Sequence, residues 1–166
     1  LLEDFATPLP VHVICEVLGV PVARSQQLLE WSHDMVAMYQ ARRDEAVERR
    51  AARATQEFSA CVRALLAERR AAPCDDLLSA LLASEDAGDR MSEDELTSTA
   101  MLFLIAGHEA TVHAIGNGVK ALLEQRVDTR RAFADARSTA RCVEELLRFD
   151  TPLHLFSRYA FADGEV

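Results

Sequence analysis

The stretch from Ser92 to Gln125 constrains this chain more than any other. Ser92 and Glu95 form a capping box, in which each side chain bonds the other's backbone N–H, and Asp94 puts negative charge where a helix dipole favours it. From Leu96 to Ala106 no residue is charged, and the apolar residues are not confined to one stripe. A helix apolar nearly all round belongs in a core. At 1.5 Å per residue it would run roughly 50 Å, longer than a surface helix of a small domain needs. Its middle reads Ala106-Gly107-His108-Glu109-Ala110-Thr111. Glycine weakens a helix, and a histidine and a carboxylate resist burial. Either Gly107 serves close packing beside a satisfied polar pair, or the helix borders a ligand cavity.

The remaining segments also read as helix, so the fold class is mainly α. Residues 3–18 open the chain, with Pro10 suited to a first turn, Val11, Ile14, Cys15 and Leu18 at helical spacing, and Gly19 as a stop. After the Val20-Pro21 turn, Ser25 can cap a helix to about Tyr39 whose apolar face is Leu28, Leu29, Met35, Val36 and Met38, with Trp31 beside it. A third helix, from about Asp44 to Ala71, is rich in Arg and Glu, and Val47, Phe58, Val62, Leu65 and Leu66 mark its buried side. Pro73 ends it. Asp75 and Asp76 start a short helix carrying Leu77, Leu78, Leu81 and Leu82, and Glu85–Met91 reads as a loop. A short helix around Thr129–Ala136 leads to another at about 138–149, which Thr151-Pro152 breaks. Leu153–Val166 alternates loosely and reads as one or two short strands.

A chain of 166 residues is expected to form a single domain, 1–166. Its net charge of −9, from 27 acidic and 18 basic side chains, argues against nucleic acid as the main partner. No apolar run reaches the ~20 residues that span a bilayer, and no signal peptide is apparent, so a cytoplasmic protein without a membrane partner is expected. Cys15, Cys61, Cys74 and Cys142 form no C-x-x-C pair and read as reduced, structural residues. His108-Glu109-Ala110-Thr111-Val112-His113 resembles the zinc motif H-E-x-x-H, but its second histidine comes five residues on and so turns to another face. No metal is expected there. Glu145 and Arg148, three apart on one helix face, read by themselves as an ordinary ion pair.

In this order the fragments resemble the cytochrome P-450 family, the haem-thiolate monooxygenases, and its soluble bacterial members in particular. Leu9-Pro10-Val11 through Pro21 is similar to the segment before the family's F helix, and Asp75–Leu81 to the entry of its H helix. Ala106-Gly107-His108-Glu109 is similar to the oxygen-activating bend of the I helix, and Glu145 and Arg148 match the structural E-x-x-R pair of the K helix. Arg158 matches an arginine that contacts a haem propionate. The resemblance implies the part of the P-450 fold from the E to the K helix.

The departures matter too. Where the family usually has the proton-delivering threonine, this chain has Ala110, and Thr111 comes one position late, turned about 100° away. The family's haem-ligand cysteine loop has no counterpart before Val166, which implies no cofactor for this chain alone and haem only with that missing part. Three readings follow. The first is a haem-free, P-450-derived enzyme of natural-product metabolism that cyclises, rearranges or isomerises a hydrophobic substrate. Its catalytic candidates are Glu109, His108 and His154. Leu102, Phe103, Ala106, Gly107 and Ala110 would form a trough that Leu153 and Leu155 close. The second is a fragment of a bacterial monooxygenase. The third is a haem-less auxiliary partner of another enzyme, or a homodimer, which an exposed apolar face on Asp44–Ala71 would favour. An end at Val166 favours the first.

Overall fold

The computed structural model describes residues 1–40, 43–83 and 91–155. The α-helices among them are α1 (Pro8–Leu18), α2 (Ser25–Val36), α3 (Glu45–Ala71), α4 (Leu77–Ala83), α5 (Glu93–Glu124), α6 (Thr129–Ala132) and α7 (Ala136–Phe149). A π-helical turn, Leu2–Ala6, precedes α1, and single 3-10 turns, Val22–Arg24 and Ala37–Tyr39, flank α2. No strand occurs among the described residues. Leu153–Leu155, where strand was expected to begin, is irregular. The rest of that segment, Arg158 included, lies outside the described residues, as do residues 85–90 of the expected Glu85–Met91 loop.

The chain forms two compact units, Leu1–Glu109 and Ala110–Val166. In the first, local chemistry sets each boundary. Gly19 adopts φ 72°, and its N–H and that of Val20 bond the carbonyls of Glu16 and Cys15 at 3.1 and 2.8 Å. These bonds end α1 in a Schellman motif. Ser25 does not cap α2, contrary to expectation. The 3-10 turn before it already occupies the first N–H groups, Ser25 itself is helical, and Arg24 stands at the cap without a side-chain bond. Asp44 caps α3, its Oδ1 accepting from the Val47 N–H at 2.9 Å. The capping box of α5 forms as expected: the Ser92 N–H donates to Glu95 Oε2 at 2.7 Å, and the Glu95 N–H to Ser92 Oγ at 3.3 Å.

The core of this unit gathers Val11, Cys15 and Leu18 of α1, Leu28 and Leu29 of α2, Phe58, Val62, Leu65 and Leu66 of α3, Leu78 of α4, and Leu96, Ala100, Met101 and Leu104 of α5. Phe58 is fully buried and stacks on Trp31 with ring centroids 5.5 Å apart. Val47, expected on the buried side of α3, is only half-buried, and the small residues Ala51 and Ala54 take that side instead. No large apolar residue of α3 is exposed, so the feature that would favour an auxiliary partner is absent among the described residues.

One expectation for α5 fails. The helix is buried along one side only, at Leu96, Thr97, Ala100, Met101, Leu104 and His108, while Leu102 is 61% exposed. An all-round apolar composition shows that both sides avoid water, but only one side has a cover here.

The second unit is built on caps and one tight glycine. Asp128 caps α6 and Asp135 caps α7. Gly118 of α5 lies against Leu146 of α7, and Asn117 donates to the Asp150 carbonyl at 3.2 Å. Arg126 closes α5 with φ 50°, a left-handed conformation that costs about 1–2 kcal/mol in a residue with a Cβ.

Candidate functional site

The middle of α5 carries the residues singled out from the sequence. His108 is 3% exposed. Its Nδ1 lies 2.8 Å from the Leu104 carbonyl oxygen, one turn back. A carbonyl only accepts, so Nδ1 bears the proton. Nε2 is buried with no hydrogen-bond partner among the described residues, and the same holds for Ser32 Oγ on α2. The His33 ring stands 6.5 Å from that of His108, tilted by 51°. His108 therefore faces the inside of the unit, towards α2. Ser32 and His33 of this polar group were not foreseen, because α2 reads from its sequence as an ordinary amphipathic helix.

The small residues of α5 divide between two surroundings. A Cβ placed on Gly107 would lie 2.9 Å from both Cγ1 and Cδ1 of Ile14. Gly107 thus packs closely against α1, but the polar pair beside it is not satisfied as the blander reading required, because His108 Nε2 has no partner among the described residues. Leu102, Phe103 and Ala106 instead lie on the exposed side, and Glu109 and Ala110 are half-buried. The expected trough is therefore not one surface: its Gly107 edge is filled by Ile14, and its Leu102–Phe103–Ala106 edge is open. Thr111 is exposed.

In the second unit, Leu153, His154 and Leu155 are exposed, and His154 Nε2 lies 3.8 Å from Asp150 Oδ1. Arg148 grips Glu145 with two bonds of 2.7 and 2.6 Å. The Arg148 hydrogen bond holds the Glu145 carboxyl below its usual range. Both side chains are exposed, and α7 has no buried residue to shelter the pair.

Cys15, the most deeply buried of the four cysteines, does not suit a haem thiolate. A thiolate ligand must be deprotonated, yet burial pushes the Cys15 thiol up to about 11. Cys61 is buried and accepts from Arg24 Nη1 at 2.9 Å, as a core residue with one polar neighbour. Cys74 is exposed and turns its thiol to the Ala72 carbonyl, and Cys142 is half-buried on α7. The described residues hold no group of three or more His, Cys, Asp or Glu side chains placed to bind a metal, and no described helix is long and apolar enough to cross a membrane.

The most strongly built polar feature was missed from the sequence. Arg69, near the end of α3, donates through Nε to Asp76 Oδ2 and through Nη2 to the Gly19 carbonyl, both at 2.5 Å. Asp76 Oδ1 accepts from the Ser79 N–H at 2.8 Å, which caps α4. Burial would raise the Asp76 pKa, but the bonds from Arg69 and Ser79 outweigh it and hold the carboxyl below its usual range. The paired aspartates signalled a helix start; nothing local pointed to a partner in Arg69.

No protein-family model matches the chain. Vitamin D(3) 25-hydroxylase of Pseudonocardia autotrophica is 41% identical over 154 residues, which are 92% of this chain and 36% of that protein. A myxobacterial cytochrome P-450, solved in complex with myristic acid, superposes with a TM-score of 0.77 at 40% identity and covers 89% of this chain and 36% of its own. P-450BioI, solved in complex with an acyl carrier protein ligated to hexadec-9Z-enoic acid, superposes with a TM-score of 0.80 at 31% identity, over 90% of this chain and 38% of its own. The chain spans well under half the length of each relative.

Proposed function

This chain belongs to the cytochrome P-450 family, and from that premise we propose that it is part of a bacterial haem-thiolate monooxygenase acting on a hydrophobic small molecule. The observation that carries this is the similarity of nearly the whole chain to a hydroxylase at 41% identity. The second of the three readings is thereby favoured over the first. Cyclase or isomerase activity finds no support among the relatives, and the end at Val166 carries no weight, because the relatives are much longer than the part that aligns.

In this reading α5 supplies one wall of the substrate site. Leu102 and Phe103 offer apolar surface, and Ala106 keeps the wall low, so an apolar substrate gains about 25 cal/mol for each Å² it removes from water. Glu109 is the group on this wall that can hold or pass a proton, and Ala110 beside it supplies no hydroxyl. His108 turns into the core and positions the helix. The family's haem supplies oxygen activation when bound, and its thiolate would come from a cysteine other than Cys15, Cys61, Cys74 and Cys142. The compounds named for the relatives, vitamin D(3), myristic acid and hexadec-9Z-enoic acid carried on an acyl carrier protein, support a hydrophobic ligand.

Two measurements on the protein purified from its natural host test this. An absorbance spectrum should show a Soret band, with the reduced carbon-monoxide complex at the position characteristic of thiolate ligation. An intact mass equal to that of this chain, with no Soret band, would remove the monooxygenase reading. Ala106→Phe should abolish the spectral shift on binding myristic acid while the protein stays folded; unchanged binding would eliminate the α5 wall as the substrate site.

A further inference from the structure

Two buried side-chain atoms among the described residues have no hydrogen-bond partner there: Nε2 of His108 on α5 and Oγ of Ser32 on α2. Both belong to the first unit, and their residues are 3% and 1% exposed. A buried polar atom without a partner loses its hydration and gains nothing for it, so such atoms are rare and call for an account. The chemistry of these two is complementary. The Leu104 carbonyl holds the proton of His108 on Nδ1, which leaves Nε2 as an acceptor. Ser32 brings a hydroxyl that both donates and accepts.

His33 follows Ser32 on α2 and completes the group. Its ring centre lies 6.5 Å from that of His108, with the planes tilted by 51°. A direct hydrogen bond of ~2.9 Å between ring nitrogens would draw the centres to within about 5 Å. Two bonds of ~2.8 Å that meet at one oxygen, at a bent angle, span the larger distance. The spacing therefore suits a single atom held between the rings and not a ring-to-ring bond. His33 is exposed, so the group has an edge open to solvent. A metal ion is the poorer occupant. Two imidazoles and a neutral hydroxyl fall short of the donor set of a zinc site, and no group of three His, Cys, Asp or Glu is placed to complete one among the described residues.

We propose that His108, Ser32 and His33 form a binding site for one water molecule between α2 and α5. The water donates to His108 Nε2, accepts from the Ser32 O–H and bonds a His33 ring nitrogen. Three bonds are the usual complement of a buried water, and a water bridge is nearly as favourable as a direct bond. The bridge ties α2 to the turn of α5 that carries Gly107 and Glu109. It also gives His108 a task that an apolar ring of similar size cannot perform. The inference stands on the first unit alone and does not depend on the monooxygenase reading.

The test uses the protein that carries this chain. A crystal structure that orders water should show one oxygen within ~3.2 Å of both His108 Nε2 and Ser32 Oγ. Urea titrations of a double-mutant cycle then measure whether the two side chains share it. Ser32→Ala and His108→Phe should each raise the unfolding equilibrium constant about tenfold, because each leaves the other's buried atom less well bonded. The double variant should raise it about twentyfold, against the roughly hundredfold that two independent sites would give. His108→Gln, which keeps an acceptor at a similar reach, should recover most of the loss. If His108→Phe does not fold, His33→Phe replaces it in the cycle, with the same shortfall from multiplied effects. The proposal is overturned by a crystal structure without a shared oxygen, by a direct Ser32–His108 bond, by a double variant that multiplies the two single effects, or by His108→Gln no more stable than His108→Phe.

Discussion

α3 and α7 are both amphipathic, and α7 divides its apolar and polar sides more sharply. Yet α3 buries Ala51, Ala54, Phe58, Cys61, Val62, Leu65 and Leu66, and α7 buries none of its residues, leaving Val143, Leu147 and Phe149 exposed. The difference separates two properties that a helical wheel merges. Periodicity shows which side of a helix avoids water. Burial requires another element on that side, and α2, α4 and α5 supply it for α3 in the first unit.

Breaking that contrast at its strongest point gives the largest expected effect. Phe58→Ala removes a fully buried ring stacked on Trp31 and should lower the unfolding free energy by ~3–5 kcal/mol in urea titrations. Leu147→Ala, on the open side of α7, should change it by no more than ~0.5 kcal/mol. Comparable losses at both positions would mean that the apolar side of α7 is covered in the intact protein.

Next comes the polar tie of the first unit. Asp76→Asn leaves Arg69 without its buried partner and should cost ~3 kcal/mol. The folded-state pKa of Asp76 is depressed, so its contribution is present above the unfolded carboxyl pKa, about 3.9, and is lost as pH falls through the lower folded value. The Asn variant should flatten the acid limb of the stability curve, and an unaltered limb would refute the role of Asp76.

A finer comparison uses two glycines of α5. Gly107→Ala drives a methyl into Ile14 and should destabilise by ~1–3 kcal/mol. Gly118→Ala meets Leu146 at 3.4 Å, an ordinary contact, and should stabilise by ~0.5–1 kcal/mol through helix propensity. Thermal melts giving the same sign for both would contradict the packing described. The smallest effect belongs to Arg148→Ala: its pair with Glu145 is exposed and screened by solvent, so the melting temperature should barely move.

Much of the helical plan was legible because its signals are local. The Ser92–Glu95 box, the Gly19 stop, the Asp44 start and the apolar spacing of Phe58, Val62, Leu65 and Leu66 each act within a few residues. Ser25 failed as a cap because the preceding 3-10 turn had taken its role. The candidate site was legible only in part. Gly107 could be read either as a close-packing glycine or as part of a trough; that Ile14 would fill the space beside it, or that His108 would turn towards Ser32 and His33, depends on which helix lies opposite. The run Ala106–Glu109 pointed to the family, which similarity over nearly the whole chain bears out.

The tie at Arg69 has a kinetic side. Its bond to the Gly19 carbonyl joins residues 50 apart in sequence, while its bond to Asp76 spans only 7. Closing the longer loop requires the chain to surrender conformational freedom before that contact can form. The short bond can therefore join α3 to α4 early, and the long one joins α1 to them late. A contact made after the transition state holds the folded protein together by slowing its escape, with little effect on how fast it arrives. Arg69 thus ties the end of α1, the end of α3 and the start of α4 through one guanidinium, and Arg69→Ala should appear mainly as faster unfolding.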